Sequence, residues 1–316
     1  MQLNKEKIYD TIIIGGGCAG LAAAMYCGRF EMKTLLLGEI IGGTIITTDI
    51  VENYPGFIRL TGIELAEKLK EHAKSYPSVE MKEEKVEDVV YGKDTDSFHL
   101  ITARNNYRSK TIIFATGTEI KKLNVPGERE FANRGVHYCA LCDGAFFKDK
   151  IIGVVGGSDS SAKEALLLTQ FGRKVYIIYR GENIRPEPIN YKRVMENKKI
   201  EIIYRTNVVE IKGNKVVTHV VLDNPYKGST ELRLDAMFVE IGHIPLTNMA
   251  NKLGVNLNNR GEIIINRESK TNLRGVFAAG DCVDTKFKQA ITGVGEAVSA
   301  SYSAYQYLKE NGHIIT

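Results

Sequence analysis

Short runs of β-branched and aliphatic residues alternate with helix-forming stretches along most of this chain, and glycine marks the joins. Thr11-Ile12-Ile13-Ile14 is apolar and ends directly at Gly15-Gly16-Gly17-Cys18-Ala19-Gly20; Leu21 to Arg29 continues with helix formers, and Lys33 to Leu37 is apolar again. Strand, helix and second buried strand in that order predict a βαβ unit. The pattern recurs from Ile151: a strand to Val155, the loop Gly156-Gly157-Ser158-Asp159-Ser160-Ser161, a helix from about Ala162 to Phe171, and a strand from Lys174 to Tyr179. Two such units predict two dinucleotide-type domains, because each fold of this kind binds its ligand at its own first turn.

Strands also run into glycine at Ala115-Thr116-Gly117, at Ile241-Gly242-His243 and at Ala279-Gly280-Asp281. The last lies far beyond the second unit, so the simplest arrangement inserts the second domain into the first, with boundaries near Thr118 and Ile244. The expected fold class is therefore α/β, with two Rossmann-like, three-layer domains. From Ile200 to Leu234 the chain alternates and is rich in turn residues (Gly213-Asn214, Asn224-Pro225, Lys227-Gly228), which predicts antiparallel strands.

Composition narrows this picture only a little. The chain has 316 residues, 43% hydrophobic and 25% charged, with a formal net charge of +4. That is ordinary for a globular protein, and it lacks the Lys/Arg blocks or aromatic-basic interleaving of a nucleic-acid binder. No apolar run approaches the about 20 residues that span a bilayer. The start, residues 1–7, is polar without an apolar leader core, so a cytoplasmic setting is expected. Five cysteines are too few for a disulfide framework, and their odd number leaves at least one unpaired.

Candidate chemistry sits in three places. Gly15, Gly17 and Gly20 fit the G-x-G-x-x-G fingerprint: a tight turn, close approach to a pyrophosphate, and close packing of helix on strand. The acidic residue expected after the next strand is displaced to Glu39, which could take the ribose or simply be a solvated glutamate. The second place is Cys139-Ala140-Leu141-Cys142-Asp143. Half a zinc site is the competing reading, but structural zinc needs about four ligands and Cys18, Cys27 and Cys282 occur singly, as packing residues. A redox pair is the stronger reading, with Asp143 as the acid that protonates a leaving thiolate; it could equally cap the following turn. His137 is read as structural. The third place is Gly280-Asp281, where a carboxylate would lie beside a cofactor's hydroxyls or cap the next helix. The histidines are scattered and no metal site is expected.

Together these motifs resemble the low-molecular-weight thioredoxin reductase family. The resemblance rests on the first glycine loop, then Gly42-Gly43 with Thr47 to Gly56 (TTDIVENYPG), Ala115-Thr116-Gly117, Cys139 to Gly144, Ile241 to Pro245, Ala279-Gly280-Asp281, and the tract from Lys288-Gln289-Ala290 through Gly295-Glu296-Ala297. It covers essentially the whole chain. It implies an oxidoreductase with FAD in the outer domain (1–118 and 245–316), an NAD(P)H-binding-like domain (119–244) carrying the redox-active disulfide, a homodimer, and thioredoxin as partner. It also implies a domain rotation that shows the cysteine pair alternately to flavin and to thioredoxin. By position, Cys142 would face the isoalloxazine, Cys139 would attack the protein disulfide, and Asp143 would be the acid/base. FAD contacts would come from Gly15, Gly17, Cys18, Ala19, Gly20, Glu39, Gly43, Thr44, Asn53, Thr116, Gly117, Gly280, Asp281 (ribityl chain), Lys288, Gln289 and Ala290 (flavin ring).

The second glycine loop departs from the family. Ser158 stands where the second fingerprint glycine belongs and Ser161 where an alanine does, and a Cβ at 158 crowds the space a pyrophosphate would fill. The His-Arg-Arg cluster that grips a 2′-phosphate is here Tyr179-Arg180-Gly181, followed by Glu182 and Arg185. Relatives with such a site take electrons from reduced ferredoxin, so ferredoxin is the expected donor, with NADPH or NADH as alternatives; Lys286 and Lys288 would suit an acidic electron-transfer protein. Competing readings are a ferredoxin/flavodoxin-NADP reductase, which does not need the cysteine pair, and a non-catalytic flavin redox sensor.

Overall fold

The computed structural model describes residues 7–314; residues 1–6, most of the polar start, lie outside it. The chain divides into two units, Met1–Glu119 with Pro245–Thr316, and Ile120–Ile244. In the first unit β1 (Ile8–Ile14) enters α1 (Cys18–Arg29) and then β2 (Thr34–Gly38). A 3-10 turn at Gly43–Thr47 and α2 (Gly62–Lys74) lead to β3 (Val79–Glu83), and β4 (Val86–Gly92), β5 (Ser97–Thr102) and β6 (Asn106–Phe114) follow. The chain leaves through β7 (Thr118–Ile120).

The second unit runs β8 (Val136–His137), α3 (Ala140–Asp143), β9 (Ile151–Val155), α4 (Asp159–Leu168), β10 (Lys174–Ile178), α5 (Pro188–Glu196) and β11 (Ile200–Ile203). It ends with β12 (Val208–Gly213), β13 (Val217–Tyr226), β14 (Ser229–Arg233) and β15 (Ala236–Val239). The chain returns through β16 (His243–Pro245), and α6 (Asn248–Leu253), β17 (Val276–Ala278) and α7 (Ala290–Glu310) complete the first unit.

Each unit is an α/β layer structure. In the first, the sheet order is β3-β2-β1-β6-β5-β4, with β17 also on β6. The runs predicted as strands are buried on both faces: Ile12, Ile13, Leu35, Leu36, Ile112 and Ile113 are inaccessible, as parallel strands covered by helices must be. Ala22, Ala23 and Ala24 of α1 lie in one cluster with Ala297, Ala300 and Ala304 of α7. These small side chains let the two helices approach closely, and Ser301 donates to the Ala23 carbonyl at 3.1 Å.

In the second unit β11-β10-β9-β15-β8 is a parallel sheet and β12-β13-β14 a separate antiparallel one. Two expectations are corrected here. Ile200–Ile203 does not join the antiparallel strands; it pairs in parallel with β10, Val175 opposite Ile200. The helix after the second loop begins at Asp159, not Ala162, because the serines belong to its first turn. Pro188 is the first residue of α5, a position where a proline lacks nothing the helix would use.

Candidate active site

The strand ends of the first unit build a cradle. Ile14, Leu37, Phe114 and Ala278 stand at the same level across four parallel strands, and the ladder continues one step with Gly15 N–H to Leu37 O (2.7 Å), Ala115 N–H to Ile14 O (2.8 Å) and Ala279 N–H to Phe114 O (2.9 Å). All three expected cofactor loops therefore leave the sheet together, at the carboxyl ends of the strands where open α/β sheets bind ligands. Gly15 has φ +118°, and a Cβ there would lie 2.0 Å from the Ala115 oxygen. At Gly20 a Cβ would lie 1.9 Å from the Gly15 oxygen, so α1 packs against its own loop.

Gly17 is different. A Cβ on it would meet only the Gly43 Cα, at 3.9 Å. It is the extended N-cap of α1, the helix end has no side-chain cap, and its first turn has no acidic residue. Its leading N–H groups and positive dipole end are thus left for a ligand anion. This cradle fits a dinucleotide pyrophosphate.

The other expected contacts fall around it unevenly. Gly280 packs on Ala19, with the Ala19 Cβ 2.9 Å from a Cβ built at 280, and its N–H donates to Glu296 Oε2 at 2.9 Å. Burial raises the Glu296 carboxyl above its ordinary range, and Thr285 also donates to it. Asn53 Nδ2 donates to Gln289 Oε1 at 2.9 Å, joining the Asn53 loop to the start of α7, where Ala290 follows. Thr116 Oγ donates to Leu246 O (2.7 Å), and Leu246 N–H to Gly117 O (3.0 Å). Thr44 is exposed in the 3-10 turn after Gly43, and Asp281 is exposed as well. Glu39 pairs with Lys85 at 2.9 Å, both side chains about two-thirds exposed. Lys288 is turned inward, to the Asp281 and Val283 carbonyls and the Glu262 carboxylate, so it does not present a free positive charge to a partner.

The redox pair lies in the second unit. Cys139 and Cys142 form a disulfide, with Cα atoms 5.4 Å apart across the first turn of α3. The Cys142 N–H donates to the Cys139 sulfur at 3.1 Å, and the Asp143 N–H to the Cys139 carbonyl at 3.2 Å. The Asp143 carboxylate is 2.8 Å from His137 Nδ1. On the other side of α3, the Ala140 N–H donates to Glu164 Oε1 of α4 at 2.9 Å. Burial drives the Glu164 carboxyl upward, and Glu240 is raised by burial and by the neighbouring Glu164 charge.

Sequence reasoning missed Glu164 and Glu240. Glu164 lies in α4, where an acidic residue reads as solvated, and Glu240 directly follows β15; only the tertiary fold buries Glu240 and draws the Glu164 carboxyl out of water. Burial disfavours the thiolate of the remaining cysteines: it pushes Cys18 up to about 12, with Asp281 adding to it, and Cys27 up to about 12, and it raises Cys282. Among the described residues no cluster of three or more metal-ligating side chains occurs, and no helix is long and apolar enough to cross a membrane.

The second glycine loop is occupied by its own side chains. The Ser158 N–H donates to Ser161 Oγ at 3.1 Å, the two hydroxyls are 3.2 Å apart, and Ser161 Oγ donates to Glu240 O at 3.3 Å. The Tyr179 ring lies over the loop: a Cβ on Gly157 would be 2.4 Å from it, and one on Gly181 2.6 Å. The Arg185 N–H donates to Gly157 O at 2.7 Å, and Asp159 Oδ1 accepts from Glu187 N–H (2.9 Å) and Asn190 Nδ2 (2.8 Å), so the 185–190 segment is pinned across the start of α4. Glu182 pairs with Arg205, while Arg180 and Arg185 are exposed.

Two dinucleotide-type α/β units, one with a disulfide beside a carboxylate, define a disulfide oxidoreductase. The family "Pyridine nucleotide-disulphide oxidoreductase" matches residues 9–297. The thioredoxin reductase of Bacillus subtilis is 38% identical over 98% of this chain and 97% of its own. Solved thioredoxin reductases from Lactococcus lactis (TM-score 0.91, 39% identity, 96% and 99% of the two chains) and T. acidophilum (0.89, 31%, 95% and 99%) share the fold. A ferredoxin-flavin thioredoxin reductase from Clostridium acetobutylicum superposes less well, at 0.51 with 31% identity over 96% and 99%. This chain belongs to the pyridine nucleotide-disulphide oxidoreductases, and within them to the low-molecular-weight thioredoxin reductase family.

Proposed function

We propose that this chain is an FAD-dependent reductase of protein disulfides, with thioredoxin as substrate and reduced ferredoxin as electron donor. The observation that carries the reaction class is the Cys139–Cys142 disulfide, with Asp143 next to it. FAD would be held by Gly15, Gly17, Cys18, Ala19 and Gly20 at its pyrophosphate, by Asp281 and Gly280 at its ribityl chain, and by Gln289, Ala290 and Lys288 near its ring. Gly43, Thr44, Asn53, Thr116 and Gly117 would line the same cradle, with Glu39 free to take the ribose only by leaving Lys85. When bound, the flavin supplies the electron pair that opens the disulfide.

The chain's own residues do the rest. In the reduced pair, the Cys142 N–H bonded to the Cys139 sulfur favours thiolate there, which suits Cys139 to attack. The Cys139 sulfur bonds to one sulfur of the substrate disulfide and the other leaves as thiolate. Asp143 protonates that leaving group. Cys142 then attacks Cys139, re-forming the internal disulfide and releasing the second substrate thiol. A homodimer in the cytoplasm belongs to the same reading.

The self-occupied second loop supports ferredoxin over NADPH or NADH. Its Ser158 and Ser161 satisfy each other, Tyr179 covers Gly157, and Glu182 would repel a 2′-phosphate. Lys286, not Lys288, remains to attract an acidic partner. The test is anaerobic reduction of the purified flavoprotein by ferredoxin, NADPH or NADH, following flavin absorbance. Fast bleaching by ferredoxin alone is expected, and fast bleaching by micromolar NADPH overturns the donor assignment. Cys139→Ser is expected to abolish thioredoxin turnover and keep flavin reduction.

A further inference from the structure

Histidine 137 has every mark of a packing residue except one. It ends β8, opposite Phe238 of β15, and only 6% of it is exposed. Its ring stacks on Phe238 (centroids 5.4 Å apart) and takes Phe147 edge-on at 5.1 Å. Pinned between two aromatic rings and a paired strand, the imidazole has no room to turn. The exception is Nδ1, 2.8 Å from Asp143 Oδ2, while Nε2 is buried with no hydrogen-bond partner.

The hydrogen-bond pattern assigns the tautomer. Against an ionised Asp143, Nδ1 must carry the hydrogen, because a carboxylate only accepts. The other tautomer would leave an Nε2–H donor buried and unpaired, at the full cost of desolvating it. His137 is therefore held as a fixed Nδ1–H donor aimed at one oxygen of a carboxylate that directly follows a redox cysteine.

We propose that His137 is a positioning residue for the reaction of the cysteine pair: it keeps Asp143 Oδ2 as an acceptor, so that the proton Asp143 delivers to a leaving thiolate is carried on Oδ1. This rests on the reading of Asp143 as the general acid. In the step itself the Cys139 sulfur bonds to a substrate sulfur and the substrate S–S bond breaks. The Oδ1 proton passes to the departing sulfur, leaving a carboxylate still accepting from Nδ1–H. Asp143, about one-third exposed, takes its next proton from solvent.

The leaving group separates positioning from packing. The flavoprotein, reduced anaerobically with stoichiometric dithionite, is mixed either with DTNB, whose thiolate leaves without a proton, or with 2-hydroxyethyl disulfide, whose alkyl thiolate needs one. His137→Phe keeps the stacking and removes the donor. It is expected to slow 2-hydroxyethyl disulfide about tenfold, a fraction of what general acid catalysis supplies, and to leave DTNB within about twofold. His137→Asn returns a donor close to the Nδ1 position at the expense of the ring, and is expected to restore most of the lost rate. Should the Phe variant not fold, His137→Gln, whose amide reaches past that position, takes its place with the same expected loss. Equal slowing of both disulfides, no slowing of either, or an Asn variant no better than Phe overturns the proposal and leaves the disulfide reductase reading standing. A wild-type enzyme inert to both small disulfides overturns this inference; the reductase reading falls only if thioredoxin is left oxidised as well.

Discussion

The two glycine loops of this molecule start from the same local plan and arrive at opposite surfaces. Each follows a buried parallel strand, each opens a helix, and each begins with a glycine in the left-handed range of φ, Gly15 at +118° and Gly156 at +148°. In each, a Cβ on that glycine would strike a carbonyl of a neighbouring strand end, Ala115 O at 2.0 Å or Glu240 O at 2.1 Å. The turn is therefore equally demanding in both. What differs is the space above it. Gly17 leaves the head of α1 uncapped and open, whereas Ser158 and Ser161 fill the head of α4 and Tyr179 roofs it. The comparison teaches that the glycine turn reports the fold of the loop, and that the residues two and five positions on report whether an anion can use it.

Substitutions in the first loop should break the comparison most strongly. Gly20→Ala sets a Cβ 1.9 Å from backbone, and is expected to destabilise the first unit by about 3 kcal/mol or more, read by chemical denaturation. Gly17→Ala, with 3.9 Å of clearance, should leave stability almost unchanged and lower FAD affinity by about tenfold to a hundredfold, since a methyl would stand where the pyrophosphate approaches. Flavin absorbance per chain after dialysis checks both. If Gly17→Ala unfolds the protein or keeps full flavin, the cradle has been misread.

Rebuilding the second loop sharpens the contrast from the other side. Ser158→Gly with Ser161→Ala should accelerate bleaching by NADPH only slightly, because Tyr179 still covers Gly157. Adding Tyr179→His should raise it about tenfold, the scale of one recovered charge-assisted contact. A gain from the serine pair alone would show that the hydroxyls, not the ring, block the site.

The smallest expected effect concerns the acids behind that loop. Burial raises the carboxyls of Glu164 and Glu240 above the ordinary carboxylate range. Below that range both are protonated, folded or unfolded. As the pH rises through it the unfolded chain loses protons that the native state keeps, so stability falls with increasing pH until the native groups also ionise. Glu240→Gln should flatten this fall and stabilise the chain by about 1–2 kcal/mol at mildly alkaline pH, with little change at about pH 5, measured by urea unfolding. An unchanged slope would mean that Glu240 ionises freely in the fold.

Much of this was legible beforehand because it depends on neighbours in sequence. Ile12-Ile13-Ile14 running into glycine announces a buried strand and its turn; Cys139 and Cys142 are close enough along the chain to reach each other in any compact turn. The parallel pairing of the Ile200 strand is not legible, because a short apolar run carries no mark of parallel or antiparallel pairing. The contact of His137 is not legible either, since its partner Asp143 is six residues away, around a turn whose path no local pattern specifies.

The one-dimensional order of residues determined the α/β class, the two glycine turns and the presence of a vicinal dithiol, all set by steric and hydrophobic rules acting over a few residues. Only the tertiary structure decided that Lys288 points inward, that Glu164 meets the start of α3 with its charge felt by the buried Glu240, and that Tyr179 closes the second loop. Those outcomes depend on which distant segments exclude water from one another, and desolvation is a property of the assembled surroundings.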